Sequence, residues 1–213
     1  MHWRRKRKAR LPARVSRASR RSNPRAQEAR ALPDNSPWND VLIGGVEKRD
    51  VVVVEYDPAW AVRFDEHAAR IRGALGETAL LVEHIGSTAV PGLAAKPIID
   101  ILVVVRDSSD EASYLPALER AGYQLRVREP NFYEHRMVRT PERDVHVHVF
   151  SEGCPEIERH LIFRDRLRIS PADRKRYQDT KLALAAQSWP DMNEYAQAKT
   201  EVIERIIAAA RGE

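Results

Sequence analysis

The stretch from Val82 to Val103 constrains the fold more than any other part of the chain. Val82–Ile85 is a mostly apolar run that reads as a strand and breaks at Gly86-Ser87. A loop carrying Pro91, Gly92 and Lys96 follows, and a second apolar run, Ile98 to Val105, has one charged residue, Asp100, set into it. A near-continuous apolar run is the mark of a strand buried on both faces. An ionised Asp within such a strand is costly unless something compensates its charge. Gly lets a backbone approach an anion closely, and exposed N–H groups on a turn can hold phosphate oxygens. Turn, nearby Lys and strand carboxylate together point to a site for phosphate and metal.

The flanking sequence supplies a sheet and its covering helices. Val51–Val54 reads as a short strand. Asp57-Pro58 reads as a helix N-cap followed by Pro at the first helical position, ahead of Trp60, Phe64, Ala68, Ile71 and Leu75 at helical spacing. Ser108-x-x-Glu111 has the form of a capping box for a helix ending near Gly122. Tyr123–Val127 and Phe132–Arg139 read as strands, and Thr140-Pro141-Glu142-Arg143 as the turn into a third. In that third strand, Asp144 to Phe150, Val145, Val147 and Val149 alternate with His146 and His148. Beyond Pro155 three helices are expected: Ile157–Ile169, one capped at Ser170 and stopping at Trp189-Pro190, and one capped at Asp191 with Met192, Tyr195, Val202, Ile206 and Ala210 as its inner stripe. The resulting class is α/β (α+β), with a C-terminal helical portion.

The net charge of +5 is unevenly placed: residues 1–30 hold twelve Arg or Lys against Glu28, so the remainder carries −6. Residues 1–46, with no core-forming run and four prolines, read as a basic, Arg-rich disordered tail, and 47–213 as the folded domain. The tail alone would offer a surface to nucleic acid, and a nucleic-acid partner is disfavoured. A single cysteine, Cys154, excludes an intrachain disulfide and a cysteine zinc cage, and it suits a reducing, cytoplasmic setting. Apolar runs interrupted by Glu55 or Asp100 are far short of about 20 residues, so no membrane span is expected.

The stretch from Gly86-Ser87 to Asp100 resembles the GrpB family and, through it, the DNA polymerase beta-like nucleotidyltransferase superfamily. Tyr56-Asp57-Pro58-x-Trp60, Phe163-Arg164-Asp165-x-Leu167-Arg168 and Tyr195-x-x-x-Lys199 resemble the same family, and the likeness covers roughly residues 49–210. It implies a nucleotidyltransferase-like mixed sheet flanked by helices. In that superfamily a Gly-Ser turn precedes, by about a dozen residues, a strand bearing two acids, with a further acid on a later strand. Here Asp100 is the first acid, and Leu102 stands in place of the second.

The resemblance implies that Gly86 and Ser87 grip a nucleoside triphosphate while Asp100 holds a divalent metal. With Leu102 beside Asp100, further ligands must come from elsewhere, and His146 and His148 are the candidates if their strand neighbours that of Asp100. Two His and one carboxylate suit Zn²⁺, Mn²⁺ or Fe²⁺ better than Mg²⁺. A half-exposed polar strand face would show the same His-x-His pattern. His84, before the turn, reads as a hydrogen-bonded structural His or as a candidate general base or phosphate contact, and Lys96 as a phosphate contact or a solvated loop Lys. Arg164, Lys181 and Lys199, with Arg168, would close over a phosphorylated ligand, and Tyr195 or Tyr177 would stack on a base. No Gly-x-Ser-x-Gly elbow and no Gly-Lys-Ser/Thr of a Walker loop is present.

Two functions follow as expectations. One is nucleotidyl transfer to an unknown acceptor with Mg, Mn or Zn as cofactor. The alternative is a catalytically lapsed domain that binds a nucleotide, another small phosphorylated ligand or a protein partner, assisting dephospho-CoA kinase and coenzyme A biosynthesis.

Overall fold

The computed structural model describes residues 40–47, 51–189 and 192–212. Residues 1–39 of the expected basic tail, and the expected Asp191 cap, lie outside the described residues. Residues 40–46, placed in that tail by their composition, instead run along the folded body. Leu42 pairs with Val127, and the Arg126 guanidinium donates to the carbonyls of Ile43 and Gly45.

Five strands form one mixed sheet: β1 (Leu81–Ile85), β2 (Ile99–Val105), β3 (Gln124–Glu129), β4 (His135–Arg139) and β5 (Val145–Ser151), in the order β1-β2-β5-β4-β3. β2 and β5 pair in parallel, and every other neighbour is antiparallel. The Val, Ile and Leu side chains of the central pair β2–β5 are buried on both faces, and Asp100, His146 and His148 are the partly exposed exceptions on the α3 side. One face packs on helix α1 (Ala59–Leu75) and α2 (Leu115–Arg120): Trp60, Ala68, Ile71 and Leu118 meet Ile101, Val103, Val147 and Val149. The other face packs on α3 (Pro155–Ile169) through Ile85, Leu102, Val104 and Phe150. Helix α4 (Pro171–Ala185) and α6 (Thr200–Arg211) build a second apolar cluster with α3 over Val90 and Leu93.

The expected helices and strands are present, with local differences. Val51–Val54 makes only an isolated bridge, Val54 to Ala95. Ser108 does not cap a helix, because its hydroxyl is drawn to the Glu134 carbonyl and to Ser151, and a short 3₁₀ turn, Glu111–Ser113, precedes α2. Phe132–Glu134 form a turn rather than strand, with Tyr133 and Glu134 at positive φ. Helix α4 ends at Ala185, short of Trp189, and the last expected helix is two, α5 (Met192–Gln197) and α6, broken at Ala198-Lys199. The Ser170 cap does form, its hydroxyl accepting from the Asp173 N–H. Among the described residues no helix is long and apolar enough to cross a membrane.

Candidate functional site

Strand pairing creates the site. The register places Asp100 opposite His146 and Leu102 opposite His148 on the parallel pair β2–β5, all on the face toward α3. His146 Nδ1 and His148 Nε2 lie 3.5 and 3.8 Å from Asp100 Oδ1. The three donor atoms all fall within 4.8 Å of one another, and the side chains are 23–30% exposed. Tetrahedral ligands at about 2.1 Å from a metal stand about 3.4 Å apart, so this spacing fits a shared cation with little rearrangement. Burial alone would raise the Asp100 carboxyl, but the two imidazoles outweigh it and hold the group well below the usual carboxylate range. Leu102 is fully buried in the apolar cluster beneath α3, where an acid would lack solvent.

The turn before this strand is shaped by the same carboxylate. Gly86 has φ +69° and ψ −168°, a region that side chains strongly disfavour. A Cβ there would stand 2.6 Å from Asp100 Oδ2. Glycine therefore brings the turn against the carboxylate, and Ser87 opens a short 3₁₀ turn, Ser87–Ala89. Ser87 Oγ accepts from Lys181 Nζ at 3.1 Å, with the buried Tyr177 alongside. Lys181 also donates to the Ala94 carbonyl and lies 4.7 Å from the Tyr177 ring centre. Burial pulls its ammonium down to about 7.

These groups line a cavity of about 510 Å³ between the sheet and the C-terminal helices. Two further lysines line it, Lys199 from the break before α6 and Lys96 from the loop before β2, with ammonium groups 4.7 and 5.5 Å from the ring centre of Tyr195. Tyr195 is only 1% exposed and also packs edge-on against Trp189. Its ring is thus occupied in holding lysines and is not an open platform for a base. Burial lowers the Lys199 ammonium as well, while Asp100 acts to raise it.

Of the expected site residues, the structure brings together Asp100, His146, His148, Gly86, Ser87, Lys96, Lys181, Lys199 and Tyr195. It does not bring His84 or Arg164 to the cavity. His84 pairs with Ile101 on the opposite face and stacks on Phe64 with ring centres 4.6 Å apart. Thr88 donates its hydroxyl to the Ile98 carbonyl, so it accepts from His84 Nε2, and His84 braces the turn from behind. Burial depresses its pKa to about 4. Arg164 is buried, and it joins α3 to β1 by donating to Glu83 and to the His84 carbonyl. Arg168 donates to the Ala89 carbonyl. Strand alternation accounts for both His84 and Arg164: if Glu83 faces α3, His84 must face α1.

Two cavity histidines were not anticipated. His135 begins β4 and bonds to His148, and His160 of α3 packs near His148 and Phe150. Burial holds His160 down at about 3. A lone His on a strand or helix carries no local signal, and only the β4–β5 pairing places His135 beside His148.

The sequence profile described as GrpB protein matches residues 50–209. The chain is 49% identical over 173 residues to the UPF0157 protein BH1888 of Halalkalibacterium halodurans, an alignment covering 80% of this chain and 89% of that protein. It resembles the crystal structure of the conserved protein GrpB from Enterococcus faecalis with a TM-score of 0.65 and 38% identity, over 75% of this chain and 96% of that one. It is also 31% identical to a dephospho-CoA kinase of Mycobacterium leprae, over 69% of this chain and 43% of that protein.

Proposed function

The chain belongs to the GrpB family, and from that premise we propose that its cavity binds a nucleoside triphosphate with a divalent metal and transfers a nucleotidyl group to an acceptor. One observation carries the reading. Three lysines, Lys96, Lys181 and Lys199, share a single cavity with a carboxylate–imidazole–imidazole cluster of metal-ligand spacing. Converging cations and a divalent-metal set are the two features a polyphosphate needs from a protein.

The roles divide by position. Asp100, His146 and His148 would hold the metal, which supplies charge neutralisation at phosphate oxygens when bound. Two imidazoles beside one carboxylate favour Mn²⁺ or Zn²⁺ over Mg²⁺. The Gly86-Ser87 turn presents its backbone to the phosphates, with Lys181 fixing the Ser87 hydroxyl. Lys199 and Lys96 neutralise charge at the cavity wall around Tyr195. The relation to the nucleotidyltransferase superfamily rests on the Gly86-Ser87 to Asp100 spacing. The single cysteine fits a cytoplasmic setting for such a reaction.

A second reading is favoured by Leu102. With no acid at that position, the domain binds a nucleotide or another phosphorylated ligand without turnover, or binds a partner protein. The likeness to a chain named dephospho-CoA kinase makes coenzyme A biosynthesis the setting for that reading.

Thermal unfolding of the full chain with nucleoside triphosphates, with and without Mg²⁺, Mn²⁺ or Zn²⁺, tests both. A ligand at 100 times its Kd adds about 2.7 kcal/mol of stability. A metal-dependent nucleotide shift that disappears in Asp100→Ala, together with release of pyrophosphate, supports transfer. The same shift without pyrophosphate supports the binding domain. Absence of a shift with every nucleotide refutes both nucleotide readings and leaves the protein partner.

A further inference from the structure

His135 completes a chain of four side chains that runs into the metal cluster. Its Nδ1 lies 2.6 Å from Glu129 Oε2, and its Nε2 lies 3.1 Å from His148 Nδ1. Glu129 and His135 face each other across the β3–β4 pairing. The His135 ring is 7% exposed, stacks on Phe150 at 4.6 Å and 19°, and lies edge to edge and nearly parallel with the His148 ring, centres 5.3 Å apart. The order of groups is therefore Glu129, His135, His148, Asp100.

The hydrogen bonds in this chain admit one direction when His135 is neutral. A carboxylate accepts, so Glu129 takes the proton on His135 Nδ1. A neutral His135 then has a lone pair on Nε2 and takes the Nδ1 proton of His148. The lone pair of His148 is left on Nε2, the atom facing Asp100. At 3.8 Å the Asp100 oxygen is beyond direct hydrogen-bond distance of that nitrogen, and His146 Nδ1, at 3.5 Å, is the imidazole nearer the carboxylate. The reversed arrangement would put a proton on His148 Nε2, closing it to a metal, and would leave His135 doubly protonated in a stacked, nearly waterless position. Metal-ligating imidazoles elsewhere commonly owe their orientation to such an outer partner.

We propose that Glu129 and His135 are positioning residues that set His148 as its Nδ1–H tautomer and present Nε2 as a ready ligand for a divalent transition-metal ion. The proposal rests on the metal reading above and adds to it which nitrogen binds and what makes it available. Nothing in the strand alternation of His146 and His148 distinguishes their nitrogens, whereas His135 does.

The test separates this proposal from the metal reading, because its first readout needs no metal. Imidazole ¹⁵N–¹H correlation spectra of the metal-free full chain at neutral pH should show His148 protonated at Nδ1. Protonation at Nε2 in the wild-type protein would overturn the proposal without any variant. His135→Phe keeps the ring stack and removes the acceptor, so His148 should move toward the Nε2–H form. His135→Gln, which restores a carbonyl acceptor, should return it. Co²⁺ binding, followed by visible absorption, should weaken about 10- to 100-fold in His135→Phe and recover in His135→Gln. Equal Co²⁺ affinity in wild type and His135→Phe would refute the positioning role. If the expected tautomer appears and wild type binds neither Co²⁺ nor Zn²⁺, the metal reading falls while the assignment of the His148 proton is upheld.

Discussion

Replacing Gly86 with Ala should damage the protein through two separable effects. The backbone there, φ +69° and ψ −168°, lies in a region reserved for glycine, and holding a side chain in such a region costs about 1–3 kcal/mol. The new methyl would also stand 2.6 Å from Asp100 Oδ2, 3.1 Å from its Cβ and 3.2 Å from its Cγ. The carboxylate must then swing away from His146 and His148, giving up its approach to both imidazoles. We expect a total loss of about 2–4 kcal/mol, which for a domain of this size lowers Tm by roughly 4–16 °C. Differential scanning calorimetry of wild type, Gly86→Ala, Asp100→Ala and the double variant measures each part. Asp100→Ala removes Oδ2 and Cγ but not Cβ, so Gly86→Ala should cost about 1 kcal/mol less in that background, the backbone part remaining. A Gly86→Ala protein as stable as wild type would refute the strain argument. An identical cost in both backgrounds would refute the collision with Asp100.

The remaining predictions concern groups around the turn. His84, pushed by burial to about 4 from an ordinary 6.5, takes up its proton later in the folded than in the unfolded chain. Its contribution is present above pH 6.5 and is lost as pH falls from there toward 4, so urea unfolding of His84→Gln should show a shallower decline across that window. Lys181, at about 7 against 10.5, opposes folding fully below pH 7, and that opposition is relieved as pH rises toward 10.5. The gain in stability over this range should be absent in Lys181→Met when the same unfolding series is run. Arg164→Ala leaves Glu83 and the His84 carbonyl without their donor, and chemical denaturation should report a loss of about 2–3 kcal/mol. Because Arg164 does not line the cavity, any nucleotide-induced thermal shift should persist in that variant.

The sequence by itself determined the sheet-and-helix class, the strands of Asp100 and of the two histidines, and the glycine turn. Each of these is a local matter: period-two alternation, apolar runs and turn chemistry act over a few residues. It also carried the family likeness in the Gly86-Ser87 to Asp100 spacing. Only the tertiary structure decided which strands are neighbours, and that decision makes the site. Asp100 and His146 are 46 positions apart in the chain and become partners because β5 enters the sheet parallel to β2. The antiparallel return of β4 brings His135 beside His148, a contact that no spacing along the chain encodes. The same geometry sends His84 to the far face and assigns Arg164 to the α3–β1 joint. A side chain's chemistry is written at its own position, but its partners are set by register and packing, which are properties of the folded chain as a whole.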